Sequence, residues 1–264
     1  MHDYALLFEK IEASLKKNLF VGEQEYERRI ERFCHMDFRT MSDKDVFWVL
    51  VQVVFHAGVR SATIERRKTE MKEWLYDFKL LAEASDVEEK QIVDHIGFRN
   101  KVHQCILNAK SFSALVLSSG SFQQYFRRFG IDDLNPPERN LDSIRKDLCS
   151  RFVGLGPINV NHFLSDLGLY VLKPDRVICR IFFRLGLIKG PDDTDGAIAT
   201  GRNFQRVIGK PLRVIDIIMV KYGQVEKSED LGTNGGICLE NNPKCHLCDV
   251  RDYCRWYRNR SGMV

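Results

Sequence analysis

Proline is missing from the first half of this chain: the first of its seven is Pro136 in a sequence of 264 residues. With no residue there that removes a backbone donor, residues 1–135 can be nearly uninterrupted helix and short turn. Alternating apolar and polar runs bounded by turn formers are scarce throughout, which argues against sheet and for an all-α fold. No apolar run approaches the length of a bilayer span, so no membrane partner is expected. The opening stretch MHDYALLFEKIEASLKKN carries acids and bases at helical spacing in place of the apolar core of a secretory signal. The expected compartment is therefore soluble and reducing, cytoplasmic or nuclear, and not secreted. Net charge is small, +4 with pI near 8.6. Such a balance permits a nucleic-acid partner without demanding one, and a local basic face would have to supply the contact. Internal repeats and low-complexity tracts are lacking as well.

What is present is enough apolar sequence for one large core or two modest ones. Residues 43–55 (DKDVFWVLVQVVF) are hydrophobic almost all round and predict a central buried helix. Amphipathic patterns follow over 61–82 and 98–117. Asp86 can start a short helix with Glu89 at capping-box spacing, and Gly97 breaks it from the next one. DDLNPPERN at 132–140 and KGPDDTDG at 189–196 are loops. Four scattered cysteines, Cys34, Cys105, Cys149 and Cys179, read as buried small hydrophobes.

The other four, Cys238, Cys245, Cys248 and Cys254, stand in a C-x6-C-x2-C-x5-C frame. The segment around them, CLENNPKCHLCDVRDYC, has too few apolar residues to fold against itself, so an inorganic core is the expected organiser. Zinc is more usually gripped by two C-x2-C knuckles, and only one such pair exists here. Disulfides would need an oxidising compartment. A [4Fe–4S] cluster takes four thiolates and tolerates one close pair with two outlying ligands, and it is the expected cofactor, with zinc and disulfides as the alternatives.

In LCSRFVGLGPINVNHFLSDLG, residues 148–168, a helix runs into Gly154-Leu155-Gly156 and Pro157 starts another. Without a Cβ at Gly154 and Gly156 the turn's amides can approach a phosphate, towards which the second helix aims its positive end. Asn159 and Asn161 could add donors. By itself the turn is also compatible with an ordinary helical corner. Nineteen residues past Gly156, Asp175 opens LKPDRVICRIFFRLGLI at its helix start, where it can simply cap the helix. Arg176, Arg180 and Arg184 recur every fourth residue along one face, which reads as solvated at least at Arg184. Arg176, next to Asp175, is the better phosphate candidate.

The cysteine spacing resembles the cluster loop of the endonuclease III family, and G-L-G-P-I-N-V-N resembles the hairpin of the same helix–hairpin–helix DNA glycosylase superfamily, in the same order. The resemblance covers most of residues 40–258. It implies two helical lobes with a DNA-binding cleft: 41–171, containing the hairpin, and 1–40 with 172–264, containing the cluster loop 238–254. It also implies that Asp175 is the catalytic carboxylate. Breaking an N-glycosidic bond builds positive charge on the deoxyribose, which a fixed anion stabilises while orienting or deprotonating the attacking water. Strand-nicking members carry a lysine two residues after the second hairpin glycine, which attacks the sugar. Ile158 stands there, and neither Lys146 nor Lys173 matches the position, so a monofunctional enzyme is expected.

Residues 56–109 also resemble 3-methyladenine DNA glycosylase I. The superfamily resemblance implies that His56, at the end of the buried helix, would fill the gap left by an extruded base. Phe98 would stack on the base, with Arg99 or Lys101 on a phosphate. The carboxylate that reads the alkylated purine in that group falls at Val53, and Gln52 offers only an amide nearby. Lys244, with Arg255, Arg258 and Arg260, would form a basic edge. The resulting expectation is a monomeric DNA glycosylase of base-excision repair, acting on duplex DNA with a damaged base, an alkylated purine such as 3-methyladenine. The rivals are a bifunctional glycosylase/lyase on other damaged or mismatched bases and a non-catalytic iron–sulfur protein that binds DNA.

Overall fold

The computed structural model describes residues 3–260, and these are helix, turn and loop. β-pairing among them is confined to two isolated bridges, Leu19 with Thr233 and Ser228 with Thr233. The all-α expectation therefore holds. Helices α1 (Tyr4–Lys16) and α2 (Glu23–Glu31) open the chain. Then follow α3 (Asp43–His56), α4 (Ser61–Leu75), α5 (Phe78–Ala82), α6 (Asp86–Ile96), α7 (Arg99–Ser119), α8 (Phe122–Arg127), α9 (Glu138–Arg151) and α10 (Pro157–Asp166). Last come α11 (Arg176–Leu185), α12 (Thr194–Ile208), α13 (Leu212–Gly223) and α14 (Arg255–Arg260). Contacts divide the chain into two units, Asp37–Leu169 and the pair Met1–Met36 with Tyr170–Val264.

In the unit Asp37–Leu169 the apolar run predicted as a central helix is α3. Ser42 and Asp45 cap it reciprocally, and Phe47, Leu50, Val51, Val53, Val54 and Phe55 are buried. Around it Phe47, Phe78, Phe112 and Phe122 pack with ring centroids 4.9–5.8 Å apart. Each such ring contributes about 1.5–3 kcal/mol by its burial. The predicted 61–82 stretch is two helices, because the Asp77 side chain accepts from the Lys79 amide and starts a new one. Helix α6 is capped one residue earlier than the sequence pattern indicated. The Ser85 hydroxyl accepts from the Glu88 amide and Glu88 reciprocates, a Ser-x-x-Glu box.

In the other unit α1, α11, α12 and α13 enclose a separate core. Phe182 stacks on Phe204 at 5.6 Å, and Tyr4 meets Phe204 edge-on at 4.9 Å. Of the scattered cysteines Cys105 and Cys179 are buried and Cys149 is half-buried, but Cys34 is exposed, because it ends the short 3-10 turn after α2 and not a core-facing helical position.

Candidate nucleic-acid interface

The hairpin lies between α9 and α10. Gly154 has φ +90°, in the region that favours glycine, whereas Gly156 is extended at φ −83°, ψ −178°. A Cβ on Gly156 would have no heavy atom within 4 Å, while one on Gly154 would lie 3.5 Å from Val54 Cγ2 and 3.6 Å from Gln104 Oε1. Among the described residues the amides of Gly154 and Gly156 donate to no backbone carbonyl. The turn thus offers donors and open space at the N-terminus of α10, the arrangement that receives an anion.

Its side-chain amides are turned inward. Asn159 Nδ2 donates to the Gly154 carbonyl at 2.9 Å and closes the turn. Asn161 Nδ2 donates to the Pro157 carbonyl at 2.9 Å, and its Oδ1 accepts from Arg145 Nε at 2.8 Å. Asn161 is buried and braces the hairpin instead of reaching outward. A stronger brace escaped the sequence reading. Asn108, 1% exposed on α7, accepts from the Val153 amide at 2.7 Å and donates to the Val153 carbonyl at 2.9 Å. Its signal was a polar residue at a core-facing position between Cys105, Ala109 and Phe112, where an unpaired amide would be costly.

The end of α3 sits in the same unit. His56 is half-buried, with its ring 5.8 Å from that of His162. His162 is buried on α10, and its Nε2 is 3.3 Å from Asp166 Oδ2. Gln52 Nε2 turns back to the Trp48 carbonyl of its own helix at 3.3 Å, and Val53 is fully buried. Phe98 is 38% exposed, its ring edge-on to Phe55 at 6.0 Å. It holds a left-handed backbone, φ 54°, ψ 48°, which costs a side-chain-bearing residue of this kind about 1–3 kcal/mol. Two cations fix the flanking chain. Arg67 donates to the carbonyls of His95 and Ile96, and Lys101 Nζ donates to the Ala57 carbonyl at 2.6 Å.

In the other unit Asp175 caps α11. Its Oδ1 accepts from the amides of Val177 at 2.9 Å and Ile178 at 3.0 Å. Among the described residues nothing donates to Oδ2, so capping leaves one oxygen available. Cys179, buried one turn on, is pushed up to about 11 by burial and by the neighbouring carboxylates of Asp175, Asp192 and Asp193. Arg176 is exposed and without a protein partner among the described residues.

The arginine face expected to be solvated turns inward after Arg176. Arg184 is 7% exposed. It donates to the carbonyls of Leu239 at 2.6 Å and Glu240 at 2.9 Å and stacks on Trp256 at 4.6 Å. Arg180 donates to the carbonyls of Gly223 and Cys238.

The expectation of a [4Fe–4S] cluster on Cys238, Cys245, Cys248 and Cys254 is overturned. Among the described residues no group of three or more Cys, His, Asp or Glu side chains is disposed to hold a metal ion. The four cysteines line one cavity with Arg184, Tyr222 and Trp256, and three of the sulfurs have protein partners there. Cys238 Sγ accepts from Arg184 at 3.4 Å, Cys248 Sγ lies 2.9 Å from the Tyr222 hydroxyl, and Cys254 donates to the Arg184 carbonyl. Burial pushes the thiols of Cys245 and Cys254 up and that of Cys248 to about 11. The segment also packs better than its composition indicated: Ile237, Val250 and Cys254 are buried in the core of this unit. Backbone bonds from Ile237 and Cys238 to the Tyr222 carbonyl, and from Asp249 to Ser14 Oγ, hold its ends. Lys244 is half-buried beside it, and Arg255, Arg258 and Arg260 follow on the exposed side.

No protein-family model and no curated protein matches the chain. Solved structures do. The 8-oxoguanine DNA glycosylase of Thermotoga maritima superposes with a TM-score of 0.53 at 17% identity, covering 82% of this chain and 95% of that one. The 8-oxoguanine DNA glycosylase of Methanocaldococcus jannaschii gives 0.53 at 19% identity, covering 83% and 94%. What this chain shares with them is the fold.

Proposed function

We propose that this chain is a DNA glycosylase that removes a damaged base from duplex DNA. The fold shared with two 8-oxoguanine DNA glycosylases is the observation that supports the reading most. Their lesion makes an oxidised purine the first substrate to test, ahead of an alkylated purine. The latter rested on likeness around residues 56–109, where the carboxylate position is the buried Val53 and Gln52 is turned back on its helix.

In this reading the amides of Gly154 and Gly156 and the first turn of α10 grip a phosphate, with Asn159 keeping the turn closed, and Arg176 and Lys244 of the other unit are separate phosphate contacts. His56 fills the space of the extruded base, and Phe98 receives it, while Gln52 stays turned back on its helix. Asp175, anchored through Oδ1, turns Oδ2 to the sugar. There it stabilises the developing positive charge and takes the proton of the attacking water. Base and abasic deoxyribose are the products.

Duplexes carrying single lesions, assayed with and without alkali, test the proposal. Asp175→Asn is the informative variant, because Asn caps a helix as well as Asp does while removing the charge. Base release should fall by about 10²- to 10⁴-fold with the melting temperature preserved. No release from any lesion by the wild-type chain would refute the enzyme reading and leave a DNA-binding protein. Breaks formed without alkali would favour the second reading, a glycosylase that also nicks the strand.

A further inference from the structure

A concavity lies in the unit that carries α11, away from Asp175. The N-terminus of α1, the C-terminal end of α11 and residues 252–258 converge on a cleft of about 330 Å³. Asp175 starts α11 and Leu185 ends it, so about 15 Å of helix rise separates the carboxylate from the cleft. Small ligands occupy pockets of about 300–1,000 Å³, a range into which this one falls. Leu6, Leu7 and Leu185 give it an apolar floor. Tyr253 presents an exposed ring on its wall, with the Lys10 ammonium 5.7 Å from the ring centroid. The charges at the rim do not balance. Asp3 Oδ1 accepts from the Leu6 amide at 3.0 Å, and Asp252 lies 3.6 Å from Arg251. Arg255 has no hydrogen-bond or carboxylate partner among the described residues. Its stem is nevertheless directed, because it lies against Gly186, where a Cβ would come 3.3 Å from Arg255 Cδ. Arg258, one turn on, lines the same cleft. A guanidinium steered onto the rim of an apolar cleft, with no acid to meet it, suits an anion.

We propose that this cleft binds a nucleoside monophosphate. The base lies over the leucine floor with one face against the Tyr253 ring, and the phosphate meets the Arg255 guanidinium, with Arg258 beside it. An aromatic side chain is a surface on which any base stacks. A planar fork of N–H donors matches the oxygens of a phosphate, and here two forks stand one turn apart for a dianion. A neutral nucleoside would leave Arg255 unmatched, and inorganic phosphate would leave the leucine floor in water. The two arginines expected on a basic edge for DNA thereby hold a small ligand of their own.

Isothermal titration calorimetry of the full chain with deoxyadenosine monophosphate, deoxyadenosine and inorganic phosphate tests the site. Saturable one-to-one binding of the nucleotide is expected, about 10-fold or more tighter than that of the nucleoside or of phosphate. Arg255→Gln should weaken it by about 10- to 150-fold with the melting temperature preserved, since Arg255 is exposed and unpaired. Tyr253→Ala should weaken it by about 5-fold or more. Amide chemical shifts of the wild-type chain locate the ligand without any variant. The nucleotide should move Leu6, Gly186, Tyr253 and Arg255 and leave Gly154 and Gly156 in place. No saturation at millimolar nucleotide, equal binding of the nucleoside or of phosphate, undiminished affinity in either variant, or shifts centred on the hairpin would each overturn the proposal. Shifts at the cleft caused by duplex DNA and not by the nucleotide would overturn it too, returning both arginines to the DNA edge. Base release enters none of these measurements, so their outcome is independent of the glycosylase reading.

Discussion

Gly156 and Gly154 stand two residues apart and should respond to alanine in opposite ways. At Gly156 the backbone is extended and a Cβ meets no heavy atom within 4 Å. Alanine there should leave stability within about 0.5 kcal/mol, or raise it by about 0.4–1 kcal/mol by restricting the unfolded chain. At Gly154, φ +90° imposes a penalty of about 1–2 kcal/mol on any side chain. Thermal melting of the two variants gives the first half of the test, with Gly156→Ala melting at or above the wild type and Gly154→Ala below it. The second half is duplex affinity. The methyl group that Gly156→Ala adds would fill the space through which a phosphate oxygen must approach the turn. Losing one hydrogen bond to a charged oxygen, about 1.5–3 kcal/mol, should weaken binding of an abasic-site duplex by about 10- to 150-fold.

Salt dependence separates this effect from a general loss of charge. A backbone amide releases no counterion, so Gly156→Ala should keep the wild-type slope of log K against log [salt]. Arg176→Ala or Lys244→Ala, each removing a cation proposed to contact a phosphate, should reduce that slope by about 0.9. Wild-type affinity in Gly156→Ala would refute the phosphate role of the turn. So would a weakening that merely tracks a fall in melting temperature.

Two further outcomes concern the unit that carries α11. Arg184→Met strands the carbonyls of Leu239 and Glu240 and should cost about 3–5 kcal/mol, which differential scanning calorimetry would record as a fall of roughly 10 °C; an unchanged melting temperature would restore the solvated-face reading. Alkaline pH should destabilise the fold through Cys179. Its folded value of about 11 lies above the ordinary 9.0, so its contribution is full below pH 9 and is lost as pH rises towards 11, a change of about 2 kcal/mol that Cys179→Ala should remove from melts taken across that range. Cys105, buried and likewise pushed up, should still leave a residual alkaline loss in that variant.

Much of the fold was legible because its signals are local. The apolar run of α3, the glycine and proline punctuation of the hairpin and the capping aspartate of α11 each act within a few residues. The arginine periodicity showed how little a spacing says about its surroundings. Arg176, Arg180 and Arg184 share a face, yet only Arg176 is exposed, because the returning segment after α13 covers the other two. No feature of residues 176–185 could announce a partner more than fifty residues downstream. The same long-range packing misled the reading of the cysteines. Counted alone, CLENNPKCHLCDVRDYC has few apolar residues and asks for an organiser. In the fold that organiser is the core of α11 and α13, which receives Ile237, Val250 and Cys254, together with two arginines that satisfy the loop's carbonyls.

The candidate site divides along the same line. Gly154, Gly156 and Asp175 were visible because their chemistry is in the backbone they allow or the helix they start. Asn108 and Arg145 were not, since each acts on a residue more than ten positions away, Val153 and Asn161, and Lys101, read as a phosphate contact, instead holds the Ala57 carbonyl. These three make the local features usable. A turn of two glycines is flexible by itself and would lose entropy on gripping a phosphate. Tied at Val153 by both hydrogen bonds of Asn108 and braced at Asn161 by a largely buried guanidinium, the turn has already lost that entropy on folding. These braces come from α7 and from α9, the helix that leads into the turn, and they hold rigid a short motif that by itself is compatible with an ordinary corner.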